Sequence, residues 1–358
     1  MTPQLSICIP TFNRAELLES ALDSLSPQIA EVGTEVELIV SDNCSTDHTV
    51  KVVESAARRC PVRYHRNEEN VGVIDNFLGT AQNLARGEFC WMMGDDELVR
   101  PGAVRAVLEA IKMHPDLDYF YVNYSMHSFE QREGRQVTVD DFKTWTRTGN
   151  ENLIERTVNR WEELVAEDFN AITPVYCSVF RRSAWLRGAA SLKSSELFSC
   201  LDQTYPTAVV LCKTMVGKRA WSSGYPWIIM CGKESWARFI PVVVLLRFHE
   251  LLDMYLEYGV EARLVNRHRR RMLEEAMDPL AKVLSGETPP LLEDFSVTRF
   301  IFKYCHYPEL WRSLFRAAGN VPQSRIIQSS FPLAAFTVTA KGILRCRNWF
   351  KVRTSLNL

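Results

Sequence analysis

Three consecutive acids, Asp95, Asp96 and Glu97, follow Gly94 and a short apolar run from Phe89 to Met93. Carboxylate oxygens in that number suit a hard divalent cation, magnesium or manganese, and such a cation suits a diphosphate. Other polar turns follow apolar runs in the same way. Pro10-Thr11-Phe12-Asn13-Arg14 follows Leu5 to Ile9, Asp42-Asn43 follows Val36 to Val40, and Asn67 to Asn70 follows Val62 to His65. Each has a plainer meaning when taken alone. Asp-Asp-Glu can be a solvated turn, Asp42-Asn43 an Asx turn or helix cap, and Thr11 and Asn13 helix caps. Their shared position argues for more, because open α/β sheets bind ligands outside the carboxyl ends of their strands.

The elements that must carry these turns alternate between strand and helix. After the first strand a helix is expected near Asn13, with Glu16 as its capping-box partner and Leu17, Leu18, Ala21, Leu22 and Leu25 on one face. A second helix runs to about Arg59, and a third has Ile74, Phe77, Leu78, Ala81 and Leu84 as its buried stripe. Pro101 opens a fourth, lined by Val104, Val107, Leu108 and Ile111, and Tyr119 to Asn123 forms a fifth strand. The fold class is therefore α/β, a mostly parallel sheet with right-handed crossovers. Residues 126–150 are polar and read as a loop or surface hairpin, and Val175 to Phe180 as one more strand. From Ile240 onward the reading is mainly helical, with Val243, Leu246, Leu251, Met254 and Leu256 on one long helix.

Bulk properties exclude several classes. A formal charge of −1 offers no basic field for nucleic acid. No G-x-G-x-x-G follows the first strand and no G-x-x-x-x-G-K-[ST] occurs, so neither a dinucleotide cofactor nor a P-loop nucleotide is supported. Cys8, Cys90, Cys177, Cys212 and Cys231 sit in apolar runs, as reduced core thiols do. The N-terminus shows no secretory pattern and no apolar run reaches 18 residues, which points to the cytoplasm.

Residues 5–14 (LSICIPTFNR), 38–47 (LIVSDNCSTD), 67–78 (NEENVGVIDNFL) and 87–97 (GEFCWMMGDDE) resemble glycosyltransferase family 2, in particular its bacterial O-antigen abequosyltransferase-like branch. Gln203-Thr204-Tyr205-Pro206 and the stretch from Gly224 to Trp236 are also similar to that branch. The resemblance implies a GT-A fold, an inverting reaction, a nucleotide-diphosphate sugar donor and a metal, Mg2+ or Mn2+, that offsets the charge of the departing diphosphate. It places Pro10, Thr11, Asn13, Arg14, Asn43 and Asn76 beside the donor, with Asp42 accepting a hydrogen bond from the base. Asp95 serves ribose or metal; Asp96 and Glu97 are the metal ligands. Two positions depart from the family pattern. Asp75 precedes Asn76 where many members carry Arg, and the usual D-x-D is shifted so that Asp96 aligns as the ligand. The domain layout that follows is 1–236 for the GT-A domain, with a nucleotide-sugar half (1–125) and an acceptor half (126–236), and 237–358 for a helical C-terminal region.

An inverting transfer needs a general base for the acceptor hydroxyl. In the family this is a carboxylate later in the chain; Asp202 is the candidate, Glu196 and Asp168 are rivals, and a helix-capping role for Asp202 is the plain alternative. Trp221, Trp227 and Trp236 suit either sugar stacking or core packing. Arg267-His268-Arg269-Arg270-Arg271 suits a solvated helix face or an anionic lipid surface. Lys341, Arg345, Arg347, Lys351 and Arg353, set among Trp349, Phe350 and other apolar residues, suit an interfacial helix or a docked one. The expected partners are a nucleotide-sugar and a saccharide or polyprenyl-diphosphate-linked acceptor, in O-antigen-like or lipopolysaccharide synthesis, with peripheral contact on the cytoplasmic face of the inner membrane. The competing functions are a sugar nucleotidyltransferase, which lacks its glycine-rich basic loop here, and a GT-A scaffold without activity.

Overall fold

The computed structural model describes residues 2–128, 138, 147–148, 154–167, 173, 175–192, 195–232 and 237–320. The chain forms two units, Met1–Ser235 with Met254–Val260, and Trp236–Asp253 with Glu261–Leu358. Asp168, Trp236 and the basic tail beyond residue 340 lie outside the described residues.

In the first unit the apolar runs become β1 (Leu5–Thr11), β2 (Val36–Asp42), β3 (Val62–Arg66) and β4 (Phe89–Met92), joined by α1 (Ala15–Val32), α2 (Thr49–Ala57) and α3 (Val73–Gly79). β1 pairs in parallel with β2 and β4, and β2 with β3. Parallel strands covered on both faces read as unbroken apolar runs, and Ile7, Cys8, Ile9, Leu38 and Val40 are all fully buried. α1 buries Leu18, Ala21, Leu22 and Leu25, the face that periodicity predicts.

The chain continues through β5 (Leu98–Val99), α4 (Ala103–Met113), β6 (Tyr119–Tyr121), β7 (Tyr124–Ser128), β8 (Arg147–Thr148), β9 (Arg156–Val158), α5 (Glu162–Glu167), β10 (Ser178–Arg181), α6 (Arg182–Ala189), α7 (Pro206–Met215), β11 (Ala220–Ser222) and β12 (Ile228–Gly232). One sheet has the order β3-β2-β1-β4-β10-β6-β11-β9, and a second the order β5-β12-β7-β8. β10 is antiparallel to both β4 and β6, so the sheet is mixed rather than wholly parallel. This architecture is the GT-A fold. Cys8, Cys90, Cys177 and Cys212 are buried free thiols. Trp221 is core, packed on Phe120.

Two predicted helix starts are corrected. α1 begins after Arg14 and no capping box forms. Asn13 stands in the left-handed region at φ 52, and Asp47, from the turn after β2, accepts from the Ala15 amide at 3.0 Å. A carboxylate supplied by another loop has replaced the local cap. Pro101 lies in a turn, and α4 starts two residues later, behind left-handed Gly102.

The second unit is helical, with α8 (Ile240–Val242), a π turn (Val243–Arg247), α9 (Phe248–Glu257), α10 (Ala262–Glu275), α11 (Met277–Leu284), α12 (Val297–Tyr304) and α13 (Pro308–Asn320). The chain leaves this unit within α9, at Asp253, and returns at Glu261. The basic run 267–271 is not one solvated face. His268 and Arg269 are buried, and Arg269 donates to Asp253 at 2.6 Å; only Arg267, Arg270 and Arg271 face out. Among the described residues, no helix is long and apolar enough to cross a membrane.

Candidate active site

Since β1 to β4 are parallel, the turns after them emerge at one edge of the sheet. The backbone ladder continues past the strand ends and fixes those turns to one another. The Asn43 amide donates to Thr11 O, the Asn67 amide to Asp42 O, and the Met93 amide to Cys8 O, each at 2.9 Å. Beyond the acids, β5 joins the second sheet through β12, and buried Arg100 donates to Pro226 O and Ser125 Oγ. The acidic turn is therefore anchored at both ends.

Asp95, Asp96, Thr11 and Arg14 come together. Thr11 Oγ1 donates to Asp95 Oδ2 at 2.8 Å. Arg14 donates through Nη1 to Asp95 Oδ1 at 2.6 Å and through Nη2 to Asp96 Oδ2 at 2.5 Å. Asp95 is almost fully buried, while Arg14 and Asp96 keep 35% and 19% of their side chains exposed, which leaves these two open to solvent at the carboxyl edge of the sheet. Burial and the neighbouring Asp96 push the Asp95 carboxyl up to about 6 against the pull of Arg14. Burial, then Asp96 and Asp95, raise Glu97 well above the ordinary range. Glu97 Oε2 is buried without a hydrogen-bond partner, and it stands where a side chain on Gly94 would go, 2.1 Å from an ideal Cβ.

Among the described residues, no three His, Cys, Asp or Glu side chains form a ready-made metal cluster. The donor set nonetheless suits magnesium, which binds through one or two carboxylates and completes its shell with water and substrate phosphates. Arg14 holds Asp96 through one oxygen only, and Glu97 brings its unpartnered Oε2.

Asp42, Asn43 and Asn76 bond to the neighbouring turns. Asp42 is fully buried; its Oδ2 accepts from Tyr64 Oη at 2.5 Å and its Oδ1 from the Ser45 amide at 2.8 Å. Asn43 uses all four of its hydrogen-bonding positions, donating to Asn70 Oδ1 and Gly72 O and accepting from Asn67 Nδ2 and the Val71 amide. Asn76 accepts from Ser41 Oγ and Asn67 Nδ2 and donates to Ser41 O. These three lock the turns after β2 and β3 together. Asn13 faces outward and ties its turn to the next through Thr46, whose amide donates to Asn13 Oδ1 at 2.7 Å. Pro10 is half-buried at the end of β1.

Asp202 lies half-exposed in the turn before α7. That helix has Tyr205 at its N-cap position, whose side chain makes no capping bond. Glu196 is exposed on the preceding turn. Sequence reading missed Tyr64 and the capping role of Asp47. Asp47 carried a signal, since it stands in the polar turn after β2, two residues before the helix it also serves.

Residues 6–183 match the family model of Glycosyl transferase family 2. The chain is 39% identical over 95 residues to abequosyltransferase RfbV of Salmonella typhimurium, covering 26% of this chain and 28% of that protein. It is 32% identical over 108 residues to the GalNAc(5)-diNAcBac-PP-undecaprenol beta-1,3-glucosyltransferase of Campylobacter jejuni, covering 30% and 34%. The chain thus spans about a third of the length of these curated relatives. The crystal structure of Staphylococcus aureus TarS in complex with UDP-GlcNAc superposes with a TM-score of 0.51 at 16% identity, over 86% of this chain and 91% of that one, a likeness of fold.

Proposed function

Because this chain carries a glycosyl transferase family 2 domain, we propose that it moves a sugar, with inversion, from a nucleotide-diphosphate donor to a saccharide or lipid-linked acceptor in bacterial surface polysaccharide synthesis. The observation that carries the reading is the group formed by Thr11, Arg14, Asp95 and Asp96 at the carboxyl edge of the sheet. An inverting displacement builds negative charge on the leaving diphosphate, and fixed positive charge at that point lowers the barrier. Arg14 is such a charge, held in place by two carboxylates. Asp96 and Glu97 would hold Mg2+ or Mn2+, which when bound supplies further charge neutralisation to the diphosphate. Asp95 and Thr11 fix the direction of Arg14. Asp202, half-exposed in the turn before α7, would take the proton from the acceptor hydroxyl. The relatives named above are an abequosyltransferase and a glucosyltransferase of an undecaprenol-linked glycan, which supports a surface-polysaccharide setting and a lipid-linked acceptor. Such an acceptor would bring the chain to the cytoplasmic face of the inner membrane.

The test is transfer or hydrolysis assayed with a panel of nucleotide-diphosphate sugars, with and without manganese. Asp96→Ala should lower turnover by on the order of 10²–10³ while circular dichroism stays unchanged. Undiminished turnover in that variant would refute the metal role. Failure of the intact chain to bind any nucleotide diphosphate would remove the whole reading and favour a scaffold without activity.

A further inference from the structure

A cavity of about 440 Å³ opens in the second unit between the π turn, the start of α9, the 291–296 loop and α12. This is within the roughly 300–1,000 Å³ typical of small-molecule sites. His249, on its lining, is 2% exposed. The ring stacks on Tyr304 at 4.6 Å and meets Phe300 edge-on at 5.6 Å. Arg269 Nη1 lies 3.5 Å from His249 Nδ1. Guanidinium nitrogen can only donate, so Nδ1 must accept and the proton resides on Nε2. That Nε2–H is buried with no hydrogen-bond partner. A buried orphan donor on a cavity wall calls for an acceptor oxygen from a ligand.

The charges around the cavity say which kind of ligand. Arg247 is already paired with Glu250, and Lys303 with Asp253. Two lining side chains, Arg299 and Asp294, have no partner among the described residues. One only donates and the other only accepts; Glu293, a further carboxylate on the lining, accepts from the Leu291 amide. An anion would meet Asp294 and a cation Arg299. A hydroxyl uses both groups, since it donates and accepts. Phe295 and Phe300 supply apolar surface beside them. We propose that this cavity binds a neutral saccharide, with His249 Nε2–H, Arg299 and Asp294 bonding its hydroxyls and ring oxygens. That the saccharide is the glycan being extended rests on the proposed function; the preference for a neutral polyhydroxylated ligand rests on the lining alone.

The experiment takes the full chain and a panel of immobilised neutral tri- to pentasaccharides, then calorimetry with those retained. Inorganic phosphate is the anionic probe. Binding should weaken about tenfold in His249→Leu, the loss of one buried hydrogen bond. Arg299→Ala, at an exposed position, should weaken it several-fold and keeps the test open if His249→Leu does not fold. Asp96→Ala should retain saccharide binding even though transfer is lost, which separates this site from the transferase centre. The proposal fails if no neutral saccharide is retained, if Arg299→Ala leaves affinity unchanged, if Asp96→Ala abolishes binding, or if phosphate binds and competes while saccharides do not.

Discussion

Lowering the pH tests the protonation of His249. Its ring is buried, and Arg269 and Lys303 face it more effectively than Asp253 does, so its pKa falls from 6.5 to about 3. The folded chain then refuses a proton that the unfolded chain accepts. Stability contributed by the neutral ring is complete above about pH 6.5, declines as the pH falls below it, and is fully lost once the pH reaches about 3. At pH 5 the unfolded ring is already protonated by one and a half pH units. At about 1.4 kcal/mol per unit, the chain should be about 2 kcal/mol less stable at pH 5 than at pH 8 from this group alone. His249→Gln, which keeps a neutral donor, removes that contribution. Urea unfolding followed by far-ultraviolet circular dichroism at both pH values gives the comparison. The variant should lose about 2 kcal/mol less than the parent between pH 8 and pH 5. Equal losses would show that His249 is protonated in the folded state, and the tautomer assigned to it would be wrong.

Asn43→Ala removes four hydrogen bonds that hold the 67–72 turn and should cost about 2–4 kcal/mol in thermal unfolding, with faster amide exchange over that turn; an unshifted melting temperature would count against its locking role. Gly87→Ala places a Cβ 2.7 Å from Ser6 Oγ and 2.8 Å from Ser6 N. Backbone there cannot yield cheaply, so about 1–3 kcal/mol should be lost in denaturant melts. Asp202→Asn should slow transfer by about 10²–10⁴ with donor affinity by calorimetry unchanged; full activity would move the base elsewhere, with Glu196 next to be tried.

Much of the first unit is legible in its residues. The runs at Leu5, Val36, Val62 and Phe89 are apolar because parallel strands are covered on both sides, and the turns that follow them are polar because they meet water at one edge. Periodicity alone finds the inner face of α1 for the same reason. What stays hidden is whatever depends on partners distant in sequence. Nothing near Asn43 says that its amide is spent on Asn67, Asn70, Val71 and Gly72. The antiparallel course of β10 is invisible for a related reason, since an apolar strand carries no mark of its direction. The run 267–271 misleads because charge is read along the chain, whereas α10 turns Arg269 inward to Asp253.

The grip of Arg14 on Asp95 and Asp96 also bears on how a polyanion first arrives. Two bare carboxylates at the mouth would repel an approaching pyrophosphate, and association would then wait for a counter-ion. With the guanidinium lying across both, one of the two negative charges at the entrance is already offset when such a visitor approaches, and the repulsion it meets is weakened accordingly.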